Sequence, residues 1–257
     1  DKAPQKFRFG IMGYSTIGWL NPENEKLFSR GEFGIGFGWG LNIEKYINAT
    51  TSFRTGFSLS NFKGSVNYII DPPSPYETFY VLNELDEFQE WGEQSLTPPS
   101  GDVYQLKSRK FNISYVNVPL ILKLKTKEIG YFTYFGEFGG TISFNTKAEL
   151  IDNHRQGEFD SLYNFTPNVD NYYDSENTLN IDEGTQAIRA GLSVGAGAEY
   201  NFSGSTALFF QANWNYFMTN LMVKEDNEKY LRTINDVSQF ESVDSKSIPG
   251  SVNITIG

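Results

Sequence analysis

The pattern of residues 32–44 constrains the fold more than any other part of the chain. Large apolar side chains alternate strictly there with glycine and asparagine. The apolar set is Phe33, Ile35, Phe37, Trp39, Leu41 and Ile43, and the intervening set is Gly34, Gly36, Gly38, Gly40 and Asn42. Because successive side chains of a β-strand point to opposite faces, this two-residue period predicts a strand with one bulky apolar face and one small face.

The same period recurs in seven other segments of the 257-residue chain, which gives eight predicted strands. The segments are residues 7–12, 53–59, 116–124, 132–144, 188–200, 208–216 and 252–256. The connections alternate in length, with short ones at 44–48, 125–130 and 203–205 and long ones at 20–31, 64–108, 146–185 and 222–246. Short turns at one end and long loops at the other are typical of outer-membrane barrels.

We therefore predict that residues 1–257 form one all-β domain, a closed eight-stranded antiparallel transmembrane β-barrel with long extracellular loops. The long loops face the cell exterior and the termini face the periplasm of a bacterial outer membrane. Membrane lipid surrounds such a barrel. The segment Asp1-Lys2-Ala3-Pro4 has no apolar core behind it, so we expect a mature form whose export signal was removed.

A soluble eight-stranded barrel is the alternative, with the apolar face turned inward. The interior of an eight-stranded barrel is just wide enough for side chains to fill it, and the many aromatic residues of the apolar face would overfill it. With that face turned to lipid, six charged side chains point inward, where we predict a paired lumen network. They are Arg8, Arg54, Lys123, Glu137, Arg189 and Glu199. We predict aromatic girdles at the lipid interfaces from Trp19, Tyr46, Tyr131, Tyr200, Trp214 and Tyr216.

The long loops are acidic and aromatic. Residues 64–102 contain eight acidic residues and no lysine or arginine, and the run 79–91 suggests a short amphipathic helix. Three interpretations stay open: a solvated negative surface, contact with a partner protein, or a hard-cation site, for which EF-hand spacing is missing. The predicted partner-contact residues are Tyr80, Phe88, Trp91, Tyr172 and Tyr173.

Residues suited to catalysis are few, and we predict no catalytic residue, no cofactor and no metal. The chain has no cysteine, which excludes thiol chemistry, and its net charge of −10 argues against nucleic acid as a partner. His154 is the only histidine and is expected to be a solvated loop residue. The residues near it that suggest a hydrolytic set are Asp152, Glu158, Asp160 and Ser161.

Four segments resemble the PorT-like outer-membrane barrel family of Bacteroidota. They are residues 115–125, which resemble its "Tyr-x-x-x-Pro-Leu-Leu-Lys-Tyr-Lys" strand, 131–140, 192–200 with its "Gly-x-Gly-x-Glu-Tyr" pattern, and 209–221. The resemblance implies a non-catalytic scaffold or accessory subunit with a protein partner in an envelope complex, such as the type IX secretion or gliding machinery. The alternatives are a cell-surface ligand-binding or adhesion barrel and, third, a barrel hydrolase of lipid or protein.

Pro119 lies within the first of these segments. Proline has no N–H to donate to a neighbouring strand, and a closed barrel has no edge strand to hold it. We therefore expect a bulge or a local break in the ladder at Pro119.

Overall fold

A computed structural model describes most of the chain, namely residues 7–69, 77–91, 98, 100–162, 164–168, 173–174, 179–180, 184–203, 206–223, 229–234, 240–244 and 246–257. The strands in this part are β1 (Phe7–Pro22), β2 (Phe28–Tyr46), β3 (Thr51–Tyr68), β4 (Thr78–Leu82), β5 (Asp102–Lys125), β6 (Phe132–Phe159), β7 (Phe165–Pro167), β8 (Tyr173–Asp174), β9 (Leu179–Asn180), β10 (Ile188–Ser203), β11 (Thr206–Phe217), β12 (Arg232–Ile234), β13 (Phe240–Ser242) and β14 (Ser247–Ile256). Within the described residues, no helix has the length and apolar character needed to cross a membrane.

Eight of these strands close into a ring, in the order β1, β2, β3, β5, β6, β10, β11 and β14. Each strand pairs antiparallel with both neighbours, and β14 returns to β1 with Gly13 opposite Ile256. The predicted all-β, eight-stranded closed barrel is thereby confirmed.

Short connections join the ring strands at one end, which we call the turn end. Strand β2 ends at Tyr46 and β3 begins at Thr51, and β10 and β11 are separated only by residues 204–205. The β5–β6 turn contains Gly130 at φ +67°, a left-handed conformation that favours glycine. The opposite end, which we call the loop end, holds all the long connections.

The outer wall of the barrel carries a lipid-facing belt. We define it as the outward side chains of residues 7–19, 33–45, 53–59, 116–124, 132–144, 188–200, 208–216 and 250–256. Its side chains are apolar yet exposed: Phe9 is 73% exposed and Phe37 is 68% exposed. The alternate residues face inward and are mostly glycine, serine, threonine, asparagine and charged residues. This arrangement is the one expected when the apolar face is turned to lipid.

Tyr46 departs from the predicted girdle. Its ring lies against the cationic groups of Arg8 and Lys125, both of which point into the barrel. The prediction that Tyr46 faces lipid is therefore wrong, because the inward alternation of β2 continues to its last residue.

The ring strands β5 and β6 continue well beyond the belt at the loop end and carry a further sheet. Strand β4 pairs with the upper part of β5, β12 pairs with β4, and β13 pairs with β12. Strands β7, β8 and β9 pair with the upper part of β6. We call this structure the loop-end sheet. Much of the predicted loops 64–108 and 146–185 is therefore strand.

The predicted helix over 79–91 is wrong, since its first residues form β4. All five residues of β4 are buried, and alternate side chains enter two different apolar clusters. Tyr80 and Leu82 pack toward Phe28, Leu106 and Leu150, which belong to a core that extends into the loop end of the barrel. Phe79 and Val81 pack on the other side. Burial on both faces explains why this strand has no polar alternation.

Two of the glycines in β2 are required by the path of β3. The β2–β3 register shifts between the Phe33–Gly64 and Gly38–Ser60 pairs, and β3 crosses close over β2 there. A Cβ atom added to Gly36 would overlap the backbone oxygen of Asn61, and one added to Gly34 would overlap the backbone of Lys63. The side chain of Asn61 accepts a hydrogen bond from the Phe37 amide at 2.8 Å.

The local break predicted at Pro119 is confirmed. Pro119 pairs with Thr141 of β6 in unshifted register. On its other side, the ladder with β3 is interrupted between the Arg54–Ile121 and Ser58–Asn117 pairs. Gly56 of β3 lies opposite this interruption at φ +148°.

We predict that Gly36→Ala destabilises the barrel and that Gly13→Ala does not. A Cβ on Gly36 meets backbone that cannot turn away, whereas the nearest atom to a Cβ on Gly13 is a carbonyl oxygen 4.0 Å away. Overpacking of this kind costs about 1–3 kcal/mol. Urea unfolding of the refolded protein in detergent, followed by tryptophan fluorescence, measures the difference. Equal unfolding midpoints for the two variants would contradict the crossing geometry.

Candidate functional site

Charged side chains from four strands meet inside the turn end of the barrel. Glu199 of β10 accepts from Arg8 at 2.8 Å and also forms an ion pair with Lys123. Glu44 lies 2.8 Å from Lys125 and 3.5 Å from Lys123. Both carboxylates and the Lys123 side chain are almost completely buried. Two carboxylates thus hold three cations, so each buried charge has an opposite charge beside it.

A second set of polar side chains spans the lumen above the first. Arg54 of β3 donates to Glu137 of β6 at 2.7 Å and to Gln211 of β11 at 2.7 Å. Gln211 in turn donates to Asn213 at 2.8 Å, and Asn213 donates to Glu137. Because the strands involved lie on different sides of the ring, this bridge crosses the lumen.

Arg189 is the one member of the predicted network that has no carboxylate partner among the described residues. It lies on β10 nearer the loop end, with Ser143 as its neighbour on β6. Its guanidinium carbon lies 4.1 Å from the ring centres of Tyr115 and Phe217. The structure thus brings together five of the six predicted side chains, in two groups, and separates Arg189 from both.

Sequence reasoning missed Glu44, Lys125 and Gln211. Glu44 and Lys125 stand at the strand ends, where the sequence was assigned to turns, although both continue the inward alternation of their strands. Gln211 is uncharged, yet it is buried and shares the inward parity of Asn213 and Asn215. Glu44 and Lys125 could have been predicted by extending the two-residue alternation of each strand one or two residues into the adjoining turn.

The lumen is divided into small cavities. One, of about 420 Å³, opens at the turn end and is lined by Arg8, Glu44, Lys123 and Glu199. Another, of about 100 Å³, lies deeper and is lined mainly by serine, threonine and asparagine together with Arg189. Arg54 borders both cavities. The cross-lumen bridge therefore separates them.

A buried ion pair organises the loop end. Arg109 donates to both carboxylate oxygens of Asp152 at 2.7 Å, which is the bidentate geometry of a strong charge-assisted pair. Burial opposes the charge of Arg109, but the Asp152 carboxylate outweighs it and raises the pKa of Arg109. Burial in the same apolar surroundings raises the pKa of Tyr68 to about 12.

His154 lies beside this pair and is part of β6, which contradicts the expectation of a solvated loop residue. The Tyr80 hydroxyl lies 3.1 Å from its Nδ1 atom, and the Tyr104 ring packs edge-on at 4.6 Å. Burial lowers the pKa of His154, and Arg109 acts in the same direction while Asp152 opposes it. The imidazole is therefore held neutral by its surroundings at physiological pH.

The predicted partner-contact residues do not form one exposed surface. Tyr80 and Trp91 are buried, and Phe88 packs against the same core as Tyr80. These three stabilise the loop-end sheet, so their assignment to a partner interface is corrected. Tyr173 is 51% exposed, and Tyr172 lies outside the described residues.

The hydrolytic set considered around His154 is not assembled. The Asp152 carboxylate is taken by Arg109, and the Asp160 carboxylate accepts from the backbone amides of Leu162 and Asn164. At about 3.3 Å per residue along a strand, Asp160 lies roughly 20 Å from His154. Glu158 and Ser161 lie at that same far end of β6. In the described part of the chain, no three acidic or histidine residues cluster as metal ligands.

Comparison with known proteins relates the chain to outer-membrane β-barrels. A family model for the outer membrane protein beta-barrel domain matches residues 5–223. Neisserial surface protein A shares 10% identity, with 98% of this chain and 96% of that chain covered and a TM-score of 0.37. The attachment invasion locus protein Ail of Yersinia pestis shares 10% identity, with 96% and 95% covered and a TM-score of 0.34. No curated protein matches the chain.

We predict that Glu199→Gln strongly destabilises the barrel, because Arg8, Lys123 and Lys125 all approach this carboxylate. Removing one member of a buried ion pair costs about 3–5 kcal/mol. Replacing Lys123 as well, in Lys123→Met/Glu199→Gln, should restore part of the loss. Urea unfolding measures both variants. The partly exposed Glu149, whose Lys147 partner is exposed, supplies the matched control Glu149→Gln, and an equal loss there would refute the assignment.

We predict that the loop end loosens as the pH falls through the range just below the ordinary histidine pKa of 6.5. The folded state lowers the pKa of His154, so the opened state binds the proton more readily and stability is lost on acidification. Hydrogen exchange of β4 and the upper part of β6 between pH 8 and pH 5.5 measures this. Because His154 is the only histidine, His154→Gln should abolish the dependence. A dependence that survives in the variant would assign it to other groups.

Proposed function

The chain belongs to the outer-membrane β-barrel domain family, and from that premise we propose that it is a non-catalytic anchor in the bacterial outer membrane that presents the loop-end sheet to a protein partner. The observation that carries this proposal is the loop-end sheet itself. It is an ordered structure with one apolar cluster of its own and a second that it shares with the loop end of the barrel, and closure of the barrel does not require it.

The filled lumen supports a binding role over transport. Paired charges cross it at the turn end, and the apolar core around Phe28, Leu106 and Leu150 lies across its loop end. An eight-stranded barrel with a filled interior offers no route for solutes. The side chains of the lumen thus stabilise the barrel, and a partner protein would bind to surfaces outside the lipid-facing belt.

The exposed parts of the loop end are suited to contact with protein. Leu85 and Leu162 are 76% and 71% exposed, and Tyr173 lies on the same end of the barrel. Aromatic side chains are enriched in the cores of protein interfaces, whose rims are polar.

A narrower form of the proposal makes the chain an accessory subunit of an envelope complex, with type IX secretion or gliding as the named instance. The four strand segments that resemble PorT-like barrels of Bacteroidota support this form. The alternative is adhesion, in which the loop end binds another cell or a ligand from outside the cell. The accessory-subunit form predicts a partner protein in the envelope of the same cell, whereas adhesion predicts a partner outside that cell.

We predict that the loop end faces the cell exterior. The chain has no cysteine, so a single introduced thiol reports one position. Ser161→Cys lies in an exposed turn at the loop end, and Ala49→Cys lies in an exposed turn at the turn end. A membrane-impermeant maleimide should label Ser161→Cys on intact cells and Ala49→Cys only after permeabilisation. The reverse labelling would overturn the orientation and with it the surface role.

Photo-cross-linking in living cells tests the partner. A photoreactive amino acid is placed at Leu162 or Tyr173 on the loop end, with Ile47 at the turn end and Phe37 in the belt as matched exposed controls. A discrete protein adduct from the loop-end positions in a pure culture supports an envelope complex. An adduct that forms only after host or ligand material is added supports adhesion. Adducts from Phe37 alone, or no adduct from any position, would refute the proposal.

A further inference from the structure

Arg189 is a buried cation without an acceptor. Only 1% of its surface is exposed, and its Nε and Nη1 atoms have no hydrogen-bond partner among the described residues. Three aromatic rings surround it, with Tyr115 and Phe217 at 4.1 Å and Phe62 at 5.4 Å from the guanidinium carbon. Ring faces attract a cation but do not satisfy its in-plane N–H donors.

The surroundings of Arg189 supply further donors. The buried hydroxyl of Tyr115 also has no hydrogen-bond partner. Both residues border the cavity of about 100 Å³, whose other walls are rich in serine, threonine and asparagine side chains. Of the residues that line this cavity, the only carboxylate belongs to Glu137, which forms an ion pair with Arg54. Two acceptor atoms of the lining, Glu137 Oε2 and Asn253 Oδ1, also have no hydrogen-bond partner among the described residues.

The charge balance of the lumen favours an anion over water alone. Among the described residues that point into the barrel, the cations Arg8, Arg54, Lys123, Lys125 and Arg189 face the carboxylates Glu44, Glu137 and Glu199. Cations are thus in excess, and the guanidinium group does not lose its proton in proteins. A buried charge that lacks a counter-charge is strongly unfavourable. An ion of negative sign beside Arg189 would pair its free donors and reduce the excess charge by one.

We propose that the cavity beside Arg189 is a binding site for a small inorganic anion of the halide class. The guanidinium N–H groups and the Tyr115 hydroxyl donate to the ion, and the aromatic rings exclude bulk water on one side. A cavity of about 100 Å³ is large enough for a halide ion with a few waters. The site is internal and independent of the function proposed for the loop end.

Chloride dependence of stability tests the site. The full chain is refolded from urea into detergent at pH 7.5, with chloride replaced stepwise by gluconate, an anion too large for the cavity, at constant ionic strength. The unfolding midpoint of the wild-type protein should rise with the logarithm of the chloride concentration, because an anion that binds only the folded state stabilises it. A midpoint that is independent of chloride would overturn the proposal.

Two variants separate specific binding from general salt effects. Arg189→Met should abolish the chloride dependence, whereas Arg8→Met, which removes a lumen cation from the turn end, should leave its slope unchanged. Equal slopes in Arg189→Met and the wild type would overturn the assignment to Arg189. If Arg189→Met does not fold, crystallography of the wild-type chain can detect the ion directly. Crystals of the wild-type chain grown in bromide should show an anomalous-scattering peak beside the Arg189 guanidinium, and a cavity without that peak would refute the site.

Discussion

The requirement that every backbone polar group in the membrane find a partner within the protein governs the whole structure. Hydrocarbon offers no hydrogen bonds, so a sheet can cross it only as a closed ring. The pairing of β14 with β1 meets this requirement. Closure with eight strands then sets the width of the lumen, and that width decides which side chains can point inward. The narrow lumen explains the glycine and asparagine face of β2, and contact with lipid explains its exposed apolar face.

A narrow lumen also determines how its charges are arranged. Side chains from opposite walls reach each other, so Arg54 of β3 contacts Glu137 and Gln211 directly. The same closeness is costly for a charge without a partner, which is why Arg189 stands out from the other inward cations. The lumen therefore acts as a polar core, with its own requirement for charge balance.

The sequence was sufficient for the ring because its evidence is a long, repeated period of two residues. Prediction from the sequence failed where the two-residue alternation is interrupted or covers only a few residues. The run from Phe79 to Leu82 is apolar at every position, and a buried strand cannot be told from a helix by periodicity there. The position of His154 within β6 depends on contacts with Tyr80 and Tyr104, which lie far away in sequence. Charge partners such as Glu44 and Lys125 depend on which strands face each other across the lumen.

The two ends of the barrel differ in a way that closure does not explain. At the turn end, connections of a few residues suffice, and the described residues include no strand beyond those of the ring. At the loop end, β5 and β6 continue into a sheet that orders many more residues at a considerable cost in conformational entropy. Two apolar clusters and the Arg109–Asp152 pair offset that cost. Since the ring would close without this sheet, its retention is best explained by what it presents outside the membrane.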